Sequence, residues 1–155
     1  MSQPVIFLDI GGVLDPISYL STRIHSMPEL DPKSIAVLDE LAESSNAQIV
    51  ICSAARFTMP LEAIKQLLLR SDSRSHVCII GTLDPEIIHR GKATRAWLDT
   101  HPDVKHYLII DDEAVHYTHD SDLDSHCIRI CSRSGLGDCL SSALDKALKL
   151  LGATQ

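Results

Sequence analysis

Four short runs of the chain are apolar at nearly every position: VIFLD (residues 5–9), QIVICS (48–53), HVCII (76–80) and HYLIID (106–111), with CIRIC (127–131) as a fifth. Runs this short, with no alternation of polar residues, suit strands covered on both faces, as in a parallel sheet. Between them the spacing changes. Apolar residues recur at helical intervals at Ile35, Leu38 and Leu41 within DPKSIAVLDELAES, and at Leu61, Ile64, Leu67 and Leu68 within MPLEAIKQLLLR. GKATRAWLDT and DCLSSALDKALKLLG complete the helical set. Asp31 followed by Pro32 predicts the start of the first helix, while Asp138 is the predicted cap of the last and Gly152 its stop. Strand and helix alternate throughout, which implies right-handed crossovers and a three-layer α/β sandwich around a central parallel sheet. With no repeat, linker or low-complexity stretch, residues 1–155 read as a single domain.

Composition narrows the function classes. The net charge of −7 argues against a general electrostatic grip on nucleic acid or on an anionic membrane. No stretch approaches 18 apolar residues, and MSQPVIF lacks the basic opening of a signal peptide. Five cysteines, four of them in or beside strand-like runs (Cys52, Cys78, Cys127, Cys131), read as reduced thiols in a cytoplasmic protein. Cys127 and Cys131 lie four positions apart on a strand, with three residues between them and His126 alongside. That spacing points both thiols to one face without the knuckle turn of a zinc site.

Ligands of such a sheet sit beyond the carboxyl ends of its strands. The residues that close the strands are therefore the informative ones: Asp9 after the first, Ser53 after the second, Asp111 and Asp112 after the fourth. One acid at a strand end is explained by a helix cap. Acids ending two strands, with a hydroxyl ending a third, are not.

Read in order, FLDIGGVLDP, IVICSAAR, HRGKATRAWL and YLIIDDE resemble the four motifs of the haloacid dehalogenase (HAD) superfamily of phosphotransferases, and within it the small capless domain of Swiss Army knife RNA-repair proteins. The resemblance implies a sheet ordered 5-4-1-2-3. It also implies an Mg2+-dependent phosphatase in which Asp9 attacks phosphorus and becomes an aspartyl-phosphate. Mg2+ would bridge Asp9, the main-chain carbonyl of Gly11 and Asp112, with Asp111 in or near its inner shell. Ser53 would hydrogen-bond a phosphoryl oxygen, and Gly11, Gly12 and Arg56 would help to cradle the phosphate. Arg90 or Lys92 would neutralise developing charge and hold the nucleophile. Arg90 is favoured, because Arg90-Gly91 matches the small family's pattern, whereas Lys92 matches the usual lysine only in chemistry.

One position departs from the pattern. Gly12 is the glycine expected after the nucleophile, but Gly11 stands where most relatives carry a second aspartate. That aspartate protonates the leaving group and later activates water. Loss of such a group typically lowers rate by about 10²–10⁴-fold. Three readings follow: a phosphatase with another acid–base group or a good leaving group, a phospho-ligand or Mg2+-binding regulatory module with little turnover, or an introduced change. Asp15, His25 and Glu113 are the candidate substitutes. His25 lies in YLSTRIHSMPEL, where the superfamily places its mobile flap.

The intervals in which larger relatives insert a cap are already occupied, by one helix and by a helix plus a strand. The expected site is therefore open to bulky phosphorylated substrates such as nucleic-acid ends, as well as to small phosphoesters. Arg23, Arg56, Arg90, Lys92 and Arg133 are the basic residues placed near its rim. The run HYTHDSDLDSH (116–126) resembles the start of a calcium loop at Asp120, Asp122 and Asp124. It lacks the loop's glycine and glutamate, and reads as solvated loop.

Overall fold

A computed structural model describes residues 2–17, 30–71 and 76–153. Five parallel strands form one sheet: β1 (Val5–Leu8), β2 (Gln48–Ile51), β3 (Ile79–Thr82), β4 (Tyr107–Asp111) and β5 (Cys127–Arg129). Their order is β3-β2-β1-β4-β5, the order that the resemblance implies. The helices are α1 (Pro32–Ser45), α2 (Leu61–Ser71), α3 (Arg90–Asp99), the short α4 (Ser121–Ser125) and α5 (Ser141–Leu150).

The central strands β1, β2 and β4 are largely apolar because each face of the sheet carries its own core. Ile6, Leu8, Ile49, Ile51, Leu108 and Ile110 point into a layer closed by Leu38 and Leu41 of α1, Ile64 and Leu68 of α2 and Ala147 of α5. Their neighbours Val5, Phe7, Val50, Cys52, Tyr107 and Ile109 point the other way, against Ala93 and Leu98 of α3 and Leu123 of α4. The two-residue period of a strand thus supplies both cores, which makes three layers. Between β1 and β3 the described helical elements are α1, a 3-10 turn (Ala54–Phe57) and α2, with no cap among the described residues. No helix among them is long and apolar enough to cross a membrane.

Local signals set several boundaries. The Asp31 carboxylate accepts the Lys33 N–H (3.2 Å) at the start of α1, Pro32 opens the helix, and Asn46 ends it in the left-handed region. Gly152, with φ +71°, follows α5 as expected.

Other expectations are corrected. Asp138 does not cap α5. That helix begins at Ser141, and Leu136–Asp138 form a separate 3-10 turn. The turn is drawn away by docking: the Leu136 N–H bonds the Val13 carbonyl (2.9 Å), and the Gly137 N–H bonds Ser34 Oγ (3.0 Å) on α1. β3 runs over 79–82 rather than 76–80, because the pairing with β2 shifts register between Ile49 and Val50 and matches Ile51 with Thr82. Residues 121–125 form a helix rather than loop. Asp120 caps it, accepting from the Asp122 and Leu123 N–H groups, and Asp120 and Asp122 bind Arg95 of α3 (3.0 and 2.8 Å).

Candidate active site

The strand registers bring the predicted residues together. Leu8 pairs with Ile51 on one side and with Ile110 on the other. One residue further, Asp9, Cys52 and Asp111 stand at the same level at the carboxyl end of the sheet, with Ser53 and Asp112 next along their chains. The Asp9 N–H bonds the Ile110 carbonyl (3.0 Å), and the Cys52 N–H bonds the Leu8 carbonyl (2.9 Å). The ladder continues to the edge of the site and fixes the three side-chain origins.

Carboxylate oxygens of Asp9, Asp111 and Asp112 lie within 4.8 Å of one another. Asp111 is 0% exposed and Asp9 4%, while Asp112 is half-buried. Arg90, the first residue of α3, reaches into this group. Its Nη1 is 2.7 Å from Asp111 Oδ2 and 3.4 Å from Asp9 Oδ2. One cation does not balance three acids away from water. Burial, with Asp112 and Asp111 adding to it, pushes the Asp9 carboxyl up to about 8 against the opposing pull of Arg90. Burial likewise raises Asp112. Asp111 goes the other way. Burial acts to raise it, but Arg90, the Glu113 N–H and the Tyr117 hydroxyl together hold it below the usual carboxylate range.

Asp111 is thereby separated from its neighbours in role. Its Oδ1 accepts the Glu113 N–H (2.9 Å), and its Oδ2 accepts both Arg90 Nη1 and the Tyr117 hydroxyl (2.7 Å each). All these bonds anchor it to protein donors. Asp9 keeps only the longer Arg90 contact (3.4 Å), with Asp112 beside it.

The glycines divide as well. Gly12 has φ +76°, and a Cβ there would stand 2.5 Å from Asp112 Oδ2 and 3.0 Å from the Ser132 Cβ. The tight loop and the close approach of Asp112 both require glycine. Gly11 is exposed, has no left-handed φ, and a Cβ there would meet nothing within 4 Å. Conformation does not demand a glycine at 11. The Gly12 N–H, expected to point at phosphate, instead donates to Asp15 Oδ1 (2.9 Å) and closes the loop. The Ile10 N–H donates to Asp9 Oδ1 (2.9 Å).

Ser53 lies where expected, buried at the end of β2. Its Oγ accepts the Ala55 N–H (3.2 Å) and caps the 3-10 turn. Arg56 departs from expectation. It is 7% exposed, its Nη1 donates to the Cys52 and Ser53 carbonyls (2.7 and 3.2 Å), and its Nη2 donates to those of Ile87 and Ile88 (3.2 and 3.3 Å). It ties the β2 end to the segment before α3 and presents no rim cation. Lys92 is exposed on α3, and Arg90 rather than Lys92 contacts Asp9. Arg133 is exposed, and exposed Glu113 pairs with His116 Nε2 (2.9 Å). Arg23 and His25 lie outside the described residues.

Two residues of the site, and the cap of the helix that bears Arg90, went unsuspected in the sequence. Tyr117 and Cys52 are fully buried beneath the acids, and His89 caps α3 by accepting the Lys92 N–H (3.2 Å). Strand alternation marks Cys52 as buried, but no local pattern marks Tyr117, six positions beyond Asp111.

A model of the family described as "HAD domain in Swiss Army Knife RNA repair proteins" matches residues 5–139. No curated protein and no solved structure matches the chain. The match runs from the first residue of β1 past the 3-10 turn before α5, so it takes in all five strands and every residue of the acidic cluster. The chain belongs to the HAD domain family of Swiss Army Knife RNA repair proteins.

Proposed function

We propose that the chain is a phosphohydrolase that works through an aspartyl-phosphate on Asp9. The observation that carries this reading is the Arg90 guanidinium shared between Asp9 and Asp111 at the carboxyl end of the sheet, with Asp112 beside them. In the first step an Asp9 oxygen attacks phosphorus, the ester P–O bond breaks, and the leaving oxygen takes its proton from water. In the second step, water cleaves the acyl-phosphate and regenerates the Asp9 carboxylate. Arg90 balances charge on the phosphoryl oxygens, and the Ser53 hydroxyl donates to one of them.

The donor set suits Mg2+. Asp9 and Asp112 are hard oxygen ligands whose pKa values burial raises, and the main-chain carbonyl of Gly11 is a further candidate ligand. Bound there, Mg2+ would neutralise the acids and polarise the phosphoryl group. Asp111, satisfied by three protein donors, serves as the anchor of Arg90 instead.

The absence of a carboxylate at position 11 weakens proton transfer to poor leaving groups. Turnover is therefore fastest with phosphates whose leaving groups need little protonation. It is also what favours the second reading, a Mg2+- or phospho-ligand-binding regulatory module. A phosphatase panel separates the two. Aryl phosphates, acyl phosphates, and 3′- and 5′-phosphorylated RNA and DNA ends are each assayed with wild type and Asp9→Asn. Asp9-dependent release of phosphate supports the enzyme; Mg2+-dependent binding without release supports the module. The nucleic-acid ends are included because the site carries no cap among the described residues and because of the family's name. The cysteines Cys52, Cys78, Cys127, Cys131 and Cys139 are all free, which fits work in a reducing compartment such as the cytoplasm.

A further inference from the structure

We propose that Tyr117 is a positioning residue of this site: its hydroxyl holds Asp111 and, through Asp111, keeps the Arg90 guanidinium facing Asp9. The inference rests on the phosphohydrolase reading only for its effect on rate. Tyr117 is 0% exposed and its hydroxyl is 2.7 Å from Asp111 Oδ2 and 3.7 Å from Cys52 Sγ, directly under the reacting end of the sheet.

Asp111 Oδ2 is the pivot. It takes Arg90 Nη1 and the Tyr117 hydroxyl at equal distances of 2.7 Å, and the same Nη1 stands 3.4 Å from Asp9 Oδ2. A carboxylate oxygen that shares its lone pairs between two donors binds each less tightly. The phenol therefore tempers the hold of Asp111 on Arg90 and leaves the guanidinium able to serve Asp9. Without it, Arg90 is the sole side-chain donor to that oxygen and is drawn toward Asp111.

The backbone is built for this approach. Tyr117 follows the 3-10 turn Ala114–His116, closed by its N–H on the Ala114 carbonyl (3.0 Å). That turn packs against the start of α3, where Gly91 leaves room: a Cβ at 91 would collide with the His116 carbonyl oxygen and the His119 ring. Gly91 lets the helix bearing Arg90 and the turn bearing Tyr117 converge on one carboxylate.

The test is Tyr117→Phe in the full chain, which keeps the buried ring and removes only the hydroxyl. With p-nitrophenyl phosphate, kcat should fall about ten-fold, the scale of one hydrogen bond to a charged group. KM and the Mg2+ concentration for half-maximal activity should stay put. In an Arg90→Ala background the same change should have no further effect. An equal fall in that background, or an effect confined to KM, overturns the proposal. A second readout does not depend on turnover. The guanidinium N–H resonances of Arg90, identified by their loss in Arg90→Lys, should shift in Tyr117→Phe. If wild type shows no Asp9-dependent turnover, the phosphohydrolase reading fails, yet the resonances still decide the positioning role. Unshifted Arg90 signals in a folded variant overturn it.

Discussion

Two places in the described structure bring three metal-ligating side chains within 4.8 Å of one another: Asp9, Asp111 and Asp112 at the carboxyl ends of the strands, and Asp39, Glu43 and His76 at the surface. By ligand count they are equal. By physics they are opposites. The surface group pairs its two acids with an imidazole. The His76 N–H donates to Asp39 Oδ1 (2.6 Å), while its Nδ1 and Nε2 lie 3.2 and 3.8 Å from Asp39 and Glu43. The hydrogen bond to Asp39 raises the imidazole's pKa, and water screens the rest. The strand-end group has one arginine for three acids, Asp9 and Asp111 are buried, and it answers by pushing Asp9 and Asp112 up. Burial with unbalanced charge, not the number of ligands, sets the proposed active site apart from an ion-pair staple.

The sharpest break between the two clusters is catalytic. Asp9→Asn should lower phosphate release by on the order of 10⁴-fold or more, since the nucleophile itself is gone. His76→Gln should leave kcat and KM where they were. Comparable losses in both variants would erase the distinction.

Metal binding gives the next largest contrast. At about 100 times its dissociation constant, Mg2+ should stabilise the fold by about 2.7 kcal/mol, read as a rise in Tm. Asp112→Ala should abolish most of that rise, and Glu43→Gln should preserve it. Retention of the full shift in Asp112→Ala would move the ion elsewhere.

Gly11→Asp sharpens the chemistry of the buried cluster. The side chain has room, because nothing stands within 4 Å of the position of its Cβ. Restoring a proton donor should raise kcat on alkyl phosphates by about ten-fold or more, with little change in the first step on aryl phosphates. A loss of activity with fold and Mg2+ response intact would mean that the open space at 11 serves the substrate.

The smallest effect belongs to the surface staple and carries a definite sign in pH. His76 has a raised pKa in the folded chain, so its contribution is fully present below the unfolded imidazole value and fades as pH rises through the folded one. The Tm difference between wild type and His76→Gln should be largest near about pH 6 and vanish at alkaline pH, above the folded imidazole value. A difference that grows with pH would contradict the ion-pair account.

Much of this was legible along the chain. Asp9, Ser53, Asp111 and Asp112 could be found because strands end where apolar runs end, and a parallel sheet collects those ends at one edge. The preference for Arg90 over Lys92 agrees with the contact to Asp9. Arg56 could not be read correctly. Its sequence position beside Ser53 is that of a rim cation, but four carbonyls, two of them from the distant 87–88 segment, bury its guanidinium. The cap of α5 failed for a related reason. Asp138 is locally a good N-cap, but bonds from Leu136 and Gly137 to Val13 and Ser34 commit that segment to a turn.

The sequence by itself determined the α/β layers, the carboxylates at the strand ends and the gap at Gly11, because these depend on side-chain type and on neighbours a few residues away. Only the tertiary structure decided which donors each acid meets. Asp111 and Asp112 are adjacent and chemically identical, yet β4 turns one inward to Arg90 and Tyr117 and leaves the other beside Asp9 and Gly12. Tyr117 likewise became part of the site only when Gly91 let its turn close on α3. Charge in a buried cluster is set by which donors arrive from distant segments, and no window of sequence contains them.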